Sequence, residues 1–169
     1  NRPRIDDPLY RAQYADVHLP AVTLQTVGPT LIKYGSEKQK DLFLKRILEG
    51  DVHFAIGYTE PDAGTDLASL RTRAVRHGDD YVVSGQKIWS TRAHVADFCE
   101  LLVRTDPDAP KHKGITWLIL EMDQPGVEVR PMKTIDGESH FCEVFLDEAR
   151  LPVTNRVGDE KDGWRVTNV

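Results

Sequence analysis

The chain has 169 residues, 40% of them hydrophobic and 29% charged, with a net charge of -5, a composition suited to one sizeable core with a smaller appendage. No window reaches the length of an apolar membrane span, and the acidic balance offers no basic face for a phosphate backbone, which argues against nucleic acid as a partner. Two cysteines, Cys99 and Cys142, stand far apart and outside any CxxC pattern, so they suggest neither a zinc site nor a disulfide framework and point to a reducing, cytoplasmic compartment. Asn1 opens directly into a polar segment, with no initiator methionine, signal-like run or transit-type start, and the chain reads as a fragment lacking residues at both ends.

Residues 1-50 read as helical. Val22, Leu24, Val27, Leu31 and Ile32 are the expected apolar members of a helix ending at Gly35, with Gly28-Pro29 marking a kink or a break between two short helices. Ser36 and Gln39 have the spacing of a capping box. The helix they start is predicted to run to Leu48 or Glu49, carrying an apolar stripe of Phe43, Leu44, Ile47 and Leu48 and stopping at Gly50.

From Asp51 the period changes to short runs rich in Val, Ile, Tyr and Trp, separated by turn clusters at 77-80, 106-110, 124-126 and 135-137. Residues 75-76 and 81-83 are expected to form a hairpin, Gly85 to permit a bulge before the strand 87-91, and Ile115 to Leu120 to be a buried strand. Beyond Gly158, residues 164-169 resemble the first turns of a helix. The fold class predicted is α+β: a mainly antiparallel β-barrel or sandwich over 51-158, preceded by helices in 1-50 and followed by a helical start in 159-169.

Two segments carry the chemical signal. Gly57-Tyr58-Thr59-Glu60-Pro61-Asp62-Ala63-Gly64-Thr65-Asp66 crowds hydroxyls, carboxylates and a glycine around a proline, as a sharp hydrogen-bonded loop does. Trp89-Ser90-Thr91 places an aromatic ring beside two hydroxyls at the end of a strand. Together they offer a stacking surface and short neutral polar groups to a planar ligand with heteroatoms on its edge. Glu60, Asp62 and Asp66 lack the closing ligand of a calcium loop. Asp62 and Asp66 are better suited to bonding backbone donors in the turn, and Gly64 to supplying a conformation that a Cβ resists. The six histidines show no metal-ligand spacing, and there is no GxSxG, HExxH, Walker loop or GxGxxG, so no metal site is expected.

The loop resembles the signature of the acyl-CoA dehydrogenase family, at Gly57, Thr59, Glu60, Ala63, Gly64, Thr65, Asp66 and Ser69, with Tyr58 departing from a usually aliphatic place. The resemblance extends through residues 85-89, 141-147, Val157-Gly158 and Gly163-Trp164. It implies a middle β domain supporting FAD between two helical domains. Thr59, with Ile56 and Tyr58 nearby, would face the pyrimidine edge of the flavin. Gly64 and Thr65 would sit at the pyrophosphate or the passing acyl-CoA, so that Thr65 also touches substrate. Trp89 would pack against the ring system, with Ser90 among the cofactor-binding residues, and Thr91 would donate near N5. The implied reaction is α,β-dehydrogenation of an acyl-CoA to a trans-2-enoyl-CoA, with electrons passed to an electron-transfer flavoprotein, in a homo- or hetero-oligomer expected to be a tetramer. The catalytic base of the family comes from the C-terminal helical domain, so none of Glu60, Glu143 or Glu160 is assigned that role. Alternatives are a flavin monooxygenase of the same fold and a non-catalytic subunit of a hetero-oligomer.

Overall fold

A computed structural model of the chain describes residues 20-168; the part of the predicted helical region before residue 20 lies outside them. A π-helical turn, Val22–Val27, leads into α1 (Gly28–Tyr34), followed by α2 (Glu37–Glu49). Gly28 and Pro29 therefore mark a change of helix type and not a break. Pro29 has no N–H to continue the α ladder, and the Gly28 N–H reaches back to the Thr23 carbonyl, the longer π connection. Gly35 ends α1 in an extended conformation, whereas Gly50 ends α2 in the left-handed one. The capping box forms as spaced: the Ser36 hydroxyl accepts from the Gln39 N–H and the Gln39 side chain accepts from the Ser36 N–H.

Phe43 and Ile47 are buried as the stripe predicts, but Leu48 is 81% exposed and Ile32 62% exposed. Each stands one position past a residue that faces the sheet, Ile47 and Leu31, and so is turned about 100° away. Neither belongs to the core.

Eight strands follow: β1 (Phe54–Gly57), β2 (Arg73–His77), β3 (Asp80–Thr91), β4 (Phe98–Arg104), β5 (Ile115–Glu121), β6 (Val127–Met132), β7 (Phe141–Pro152) and β8 (Arg156–Val157). They form one sheet in the order β6-β7-β3-β2-β4-β5-β8, with β1 added parallel to β4. All other pairings are antiparallel except one contact of β2 with β4. The expected hairpin is β2-β3, and the run 115-120 is β5. A short helix, α3 (Gly163–Thr167), closes the described chain.

Two cores share the β4-β5 pair. Cys99, Leu101 and Val103 of β4 and Leu118 and Leu120 of β5 point inward, toward Tyr81 and Val83 of β3 and Val144, Leu146 and Leu151 of β7. On the other face Leu102, Trp117 and Ile119 pack beneath Val27, Leu31, Phe43, Ile47 and Val166 from the helices. Burial on both faces explains why β5 reads as a continuous apolar run and not as an alternation.

The long β3-β7 ladder is interrupted twice. Near Gly85 the extra residue lies on β7, where Glu148 adopts a φ of 51°. Between Lys87 and Ser90 it lies on β3, and Trp89 takes a φ of 60°. A side-chain-bearing residue in this region costs roughly 1–2 kcal/mol, and such bulges turn a side chain out of the strand's alternation.

Candidate functional site

The bulge in β3 meets the 57-66 loop. The Ile88 N–H donates to the Thr59 carbonyl at 2.9 Å, and Lys87 Nζ donates to the Tyr58 carbonyl at 3.1 Å and to Glu60 Oε1 at 2.9 Å. The two segments singled out in the sequence thus form one surface. Within the loop, Glu60 and Ala63 exchange backbone hydrogen bonds of 3.1 Å each, closing a tight turn around Pro61 and Asp62. Gly64 is brought back over Thr59 by this turn.

Glu60 holds the loop. Its carboxylate accepts from the Arg71 N–H at 2.6 Å, from the Thr72 N–H at 2.8 Å and from Lys87. Burial opposes its charge, but the Lys87 ammonium and these donors outweigh burial and hold its pKa below the ordinary carboxylate range. Lys87 is fully buried, and burial draws it below the usual lysine range against the pull of Glu60. This corrects the expected division of labour among the acidic residues: Asp66 pairs with exposed Lys111, and neither it nor Asp62 bonds the turn's backbone. Gly64 also differs from expectation. Its φ is not left-handed, and an added Cβ would meet only Thr59 Cγ2, at 3.8 Å. The chain's own fold does not require a glycine there, and the space above it is open to a ligand.

Trp89 is 51% exposed and contacts Phe141 edge to face, with ring centroids 5.8 Å apart. Ser90 is buried, and its hydroxyl has no partner among the described residues. Thr91 and Thr59 are half-buried, while Gly64 and Thr65 are exposed. Ile56 is half-buried and pairs with Glu100 across β1-β4. An exposed indole held in a strained turn, an unpartnered buried hydroxyl and an open glycine suit a planar ring system bearing an anionic tail, as a flavin dinucleotide does.

Tyr58 turns its hydroxyl inward. It donates to Glu100 Oε2 at 2.7 Å and accepts from Trp117 Nε1 at 3.1 Å. Lys87 lies within the resembling segment 85-89 with no role assigned to it there, and Glu100 lies outside every motif. Glu100 had a signal, a lone carboxylate inside the apolar strand Phe98–Arg104.

The three glutamates weighed as a base are each engaged. Glu60 pairs with Lys87, Glu143 accepts from Gln86 at 3.0 Å, and Glu160 accepts from the Tyr81 hydroxyl at 2.9 Å. Among the described residues no cluster of three or more His, Cys, Asp or Glu could hold a metal ion. Of the histidines, His53 is held neutral by burial, which with Arg92 and His94 lowers its pKa to about 4.

Comparison with known proteins gives a consistent result. Residues 55–149 match the family model "Acyl-CoA dehydrogenase, middle domain". The chain is 58% identical over 155 residues to acyl-CoA dehydrogenase FadE29 of Mycobacterium tuberculosis, spanning 92% of this chain and 40% of the relative. It is 48% identical to FadE26 of the same organism, over 93% of this chain and 40% of that protein. Among solved structures it superposes on the Tcur3481-Tcur3483 steroid ACAD with a TM-score of 0.86 at 50% identity, covering 89% of this chain and 39% of that one. The ChsE4-ChsE5 complex from Mycobacterium tuberculosis gives a TM-score of 0.85 at 46% identity, over 94% and 40% of the two chains. The chain thus spans about 40% of the length of these two curated relatives.

Proposed function

The chain belongs to the acyl-CoA dehydrogenase family, and from that premise we propose that it forms one wall of an FAD site in an enzyme that oxidises an acyl-CoA to a trans-2-enoyl-CoA. The observation that carries this reading is the bonding of Thr59 to Ile88. It sets the loop beside a half-exposed Trp89 in a left-handed turn and a buried Ser90 hydroxyl without a partner.

The roles follow from chemistry and placement. Trp89 and Ser90 line the ring system, and the indole keeps water from it. Thr91 donates its hydroxyl toward N5, fixed before the reaction and so more effective there than mobile water. Thr59, with Ile56 and the Tyr58 backbone, faces the pyrimidine edge. Gly64 and Thr65 offer an uncrowded backbone and a hydroxyl to the pyrophosphate or to passing acyl-CoA. The Glu60-Lys87 pair holds the loop on the strand end. FAD, when bound, supplies the hydride-accepting centre. The α-proton is taken by a carboxylate outside this chain, consistent with Glu60, Glu143 and Glu160 all being engaged.

In this reading residues 51-158 are the flavin-binding β domain, 1-50 the end of an N-terminal helical domain and 159-169 the start of a C-terminal one. Electrons pass to an electron-transfer flavoprotein, the assembly is a tetramer, and the setting is cytoplasmic lipid catabolism. No described helix is long and apolar enough to cross a membrane. The steroid named for one neighbour makes a steroid acyl-CoA the first substrate to assay. Because another neighbour is a complex of two different chains, a second reading has this chain completing a hetero-oligomer without performing the chemistry itself.

The visible spectrum of the full-length protein tests the proposal. A flavin band that bleaches anaerobically on adding acyl-CoA is expected; a colourless protein that takes up no added FAD would overturn it. With Thr91→Val we expect the fold and FAD content to persist and flavin reduction to slow by about tenfold or more, the worth of a charge-assisted hydrogen bond. Unchanged reduction would show Thr91 misplaced.

A further inference from the structure

Behind the loop lies a group that the dehydrogenation reading does not use. Glu100 is fully buried in the middle of β4, beneath the π-helical turn. Its Oε2 accepts from the Tyr58 hydroxyl at 2.7 Å, and its Oε1 lies 2.8 Å from Thr26 Oγ1. Trp117 Nε1 in turn donates to Tyr58.

Among the described residues no counter-charge faces Glu100. The π-helical turn and β1 carry no charged side chain. On β5 the residue opposite Glu100 is Ile119. Lys87 of β3 is committed to Glu60 and the Tyr58 carbonyl, and Arg165 of α3 pairs with Asp162. Cys99, the neighbour on β4, has its thiol pushed up by burial and by Glu100, and so stays neutral. His53, just before β1, is neutral and lies 3.4 Å from Thr23 Oγ1. Among the described residues, Glu100 forms no ion pair. A carboxylate supported only by two hydroxyl donors in such a place is costly.

Counting hydrogens shows how the site relieves that cost. Thr26 has one hydroxyl hydrogen and two acceptors within reach, Glu100 Oε1 and the Val22 carbonyl, the latter at 2.5 Å. With Glu100 ionised, the Thr26 hydrogen must turn to Oε1, and the Val22 carbonyl loses it. With Glu100 protonated, every group is satisfied in one direction: Glu100 donates to Thr26, Thr26 to Val22, Tyr58 to Glu100 and Trp117 to Tyr58.

We propose that Glu100, Tyr58, Thr26 and Trp117 form a proton-binding site in which Glu100 is carried as the neutral acid, and that through Tyr58 it positions the backbone that leads into Thr59. Burial, opposed by the Tyr58 and Thr26 hydrogen bonds, raises the Glu100 pKa to about 7, so the proton is exchangeable near neutrality. Thr26, on the exposed side of the turn, is the route by which it reaches solvent. Glu100 is a positioning residue in this scheme and touches neither cofactor nor substrate. Its connection to a flavin rests on the reading above, whereas the proton site itself does not.

The test uses the full-length protein freed of flavin. An infrared carboxylic-acid carbonyl band is expected to titrate with a midpoint near neutrality over pH about 5 to 9 and to be missing from Glu100→Gln. Glutamine reproduces the neutral acid's pattern, its oxygen accepting from Tyr58 and its NH2 donating to Thr26. Should that variant misfold, Tyr58→Phe serves instead, because removing a donor to the carboxylate must move the midpoint upward. In the same preparations FAD affinity should weaken by about fivefold as the band disappears, the worth of one neutral hydrogen bond, and stay level in Glu100→Gln. A wild-type protein with no such band at any pH, or a band unchanged in Glu100→Gln, would overturn the proton site. So would a midpoint unmoved in Tyr58→Phe. A band that titrates while FAD affinity stays flat would overturn the link to Thr59, and a band that titrates in a protein binding no FAD would refute the flavin reading alone.

Discussion

Replacing Lys87 by Met removes the buried β3 cation that pairs with the loop while keeping nearly the same side-chain length, so no cavity is created. Glu60, only 7% exposed, keeps its two backbone donors but loses the ammonium 2.9 Å away. Breaking a buried pair from one side costs about 3–5 kcal/mol, and the lower half of that range applies because the carboxylate retains the Arg71 and Thr72 N–H groups. The Tyr58 carbonyl also loses its donor, which adds about 1 kcal/mol. We expect Lys87→Met to lower the stability of the unit containing this loop by about 4 kcal/mol, read by chemical denaturation of the full-length protein. The double variant Lys87→Met/Glu60→Gln leaves no buried charge stranded but turns the glutamine NH2 against the Arg71 or Thr72 N–H, so it should recover less than about 2 kcal/mol of that. The pH dependence has a defined sign. With its folded pKa below the ordinary 4.5, Glu60 contributes stability that is present above 4.5 and lost as pH falls through the folded value. That acid-side loss should shrink in Lys87→Met. A destabilisation under about 1 kcal/mol, or an acid-side loss as large in Lys87→Met as in the unaltered protein, would refute the buried pair as the clasp of the loop.

Two further substitutions probe the frame around the site. Gly85→Ala would bring a Cβ within 2.6 Å of Thr72 Oγ1 and 2.8 Å of Thr72 Cα, forcing the backbone near β2 away from β3 at a cost of about 1–3 kcal/mol; equal denaturation midpoints would show that the segment yields freely. Ser36→Ala opens the capping box and should cost about 1 kcal/mol. No loss would mean that the helix start is held by the Gln39 side chain, which donates to the Thr154 and Arg156 carbonyls at 2.9 Å each.

Local grammar was legible and long-range partnership was not. The capping box, the hairpin and the double-faced strand β5 each depend on spacings within a dozen residues, and each formed as read. Leu48 and Ile32 misled because a helical stripe does not say where its edge lies until the partner surface is known. Of the candidate site, the meeting of Thr59 with Ile88 was anticipated only as a meeting of motifs. Its cause, the Glu60-Lys87 clasp, joins residues far apart in the chain and is invisible to composition. Asp62 and Asp66 look like better turn residues than Glu60, yet Glu60 holds the loop because its longer side chain reaches the Arg71 and Thr72 amides from across the turn. Glu100 was readable in principle as an acidic residue in an apolar strand, but its two partners, Thr26 and Tyr58, come from the π-helical turn and the residue after β1.

The β4-β5 pair belongs at once to the packing inside the folded sheet and to the packing beneath the helices. Neither layer can separate without exposing the other's residues on the same two strands. Helices and sheet should therefore open as a single cooperative unit, and the amides of Leu101, Leu102 and Leu118 should exchange with solvent together and more slowly than those of the rim strands β6 and β8. Loosening at either face would then be felt at Glu100 and Trp117, one on each shared strand. The tyrosine beside the proposed flavin wall is thereby tied to the integrity of the whole fold.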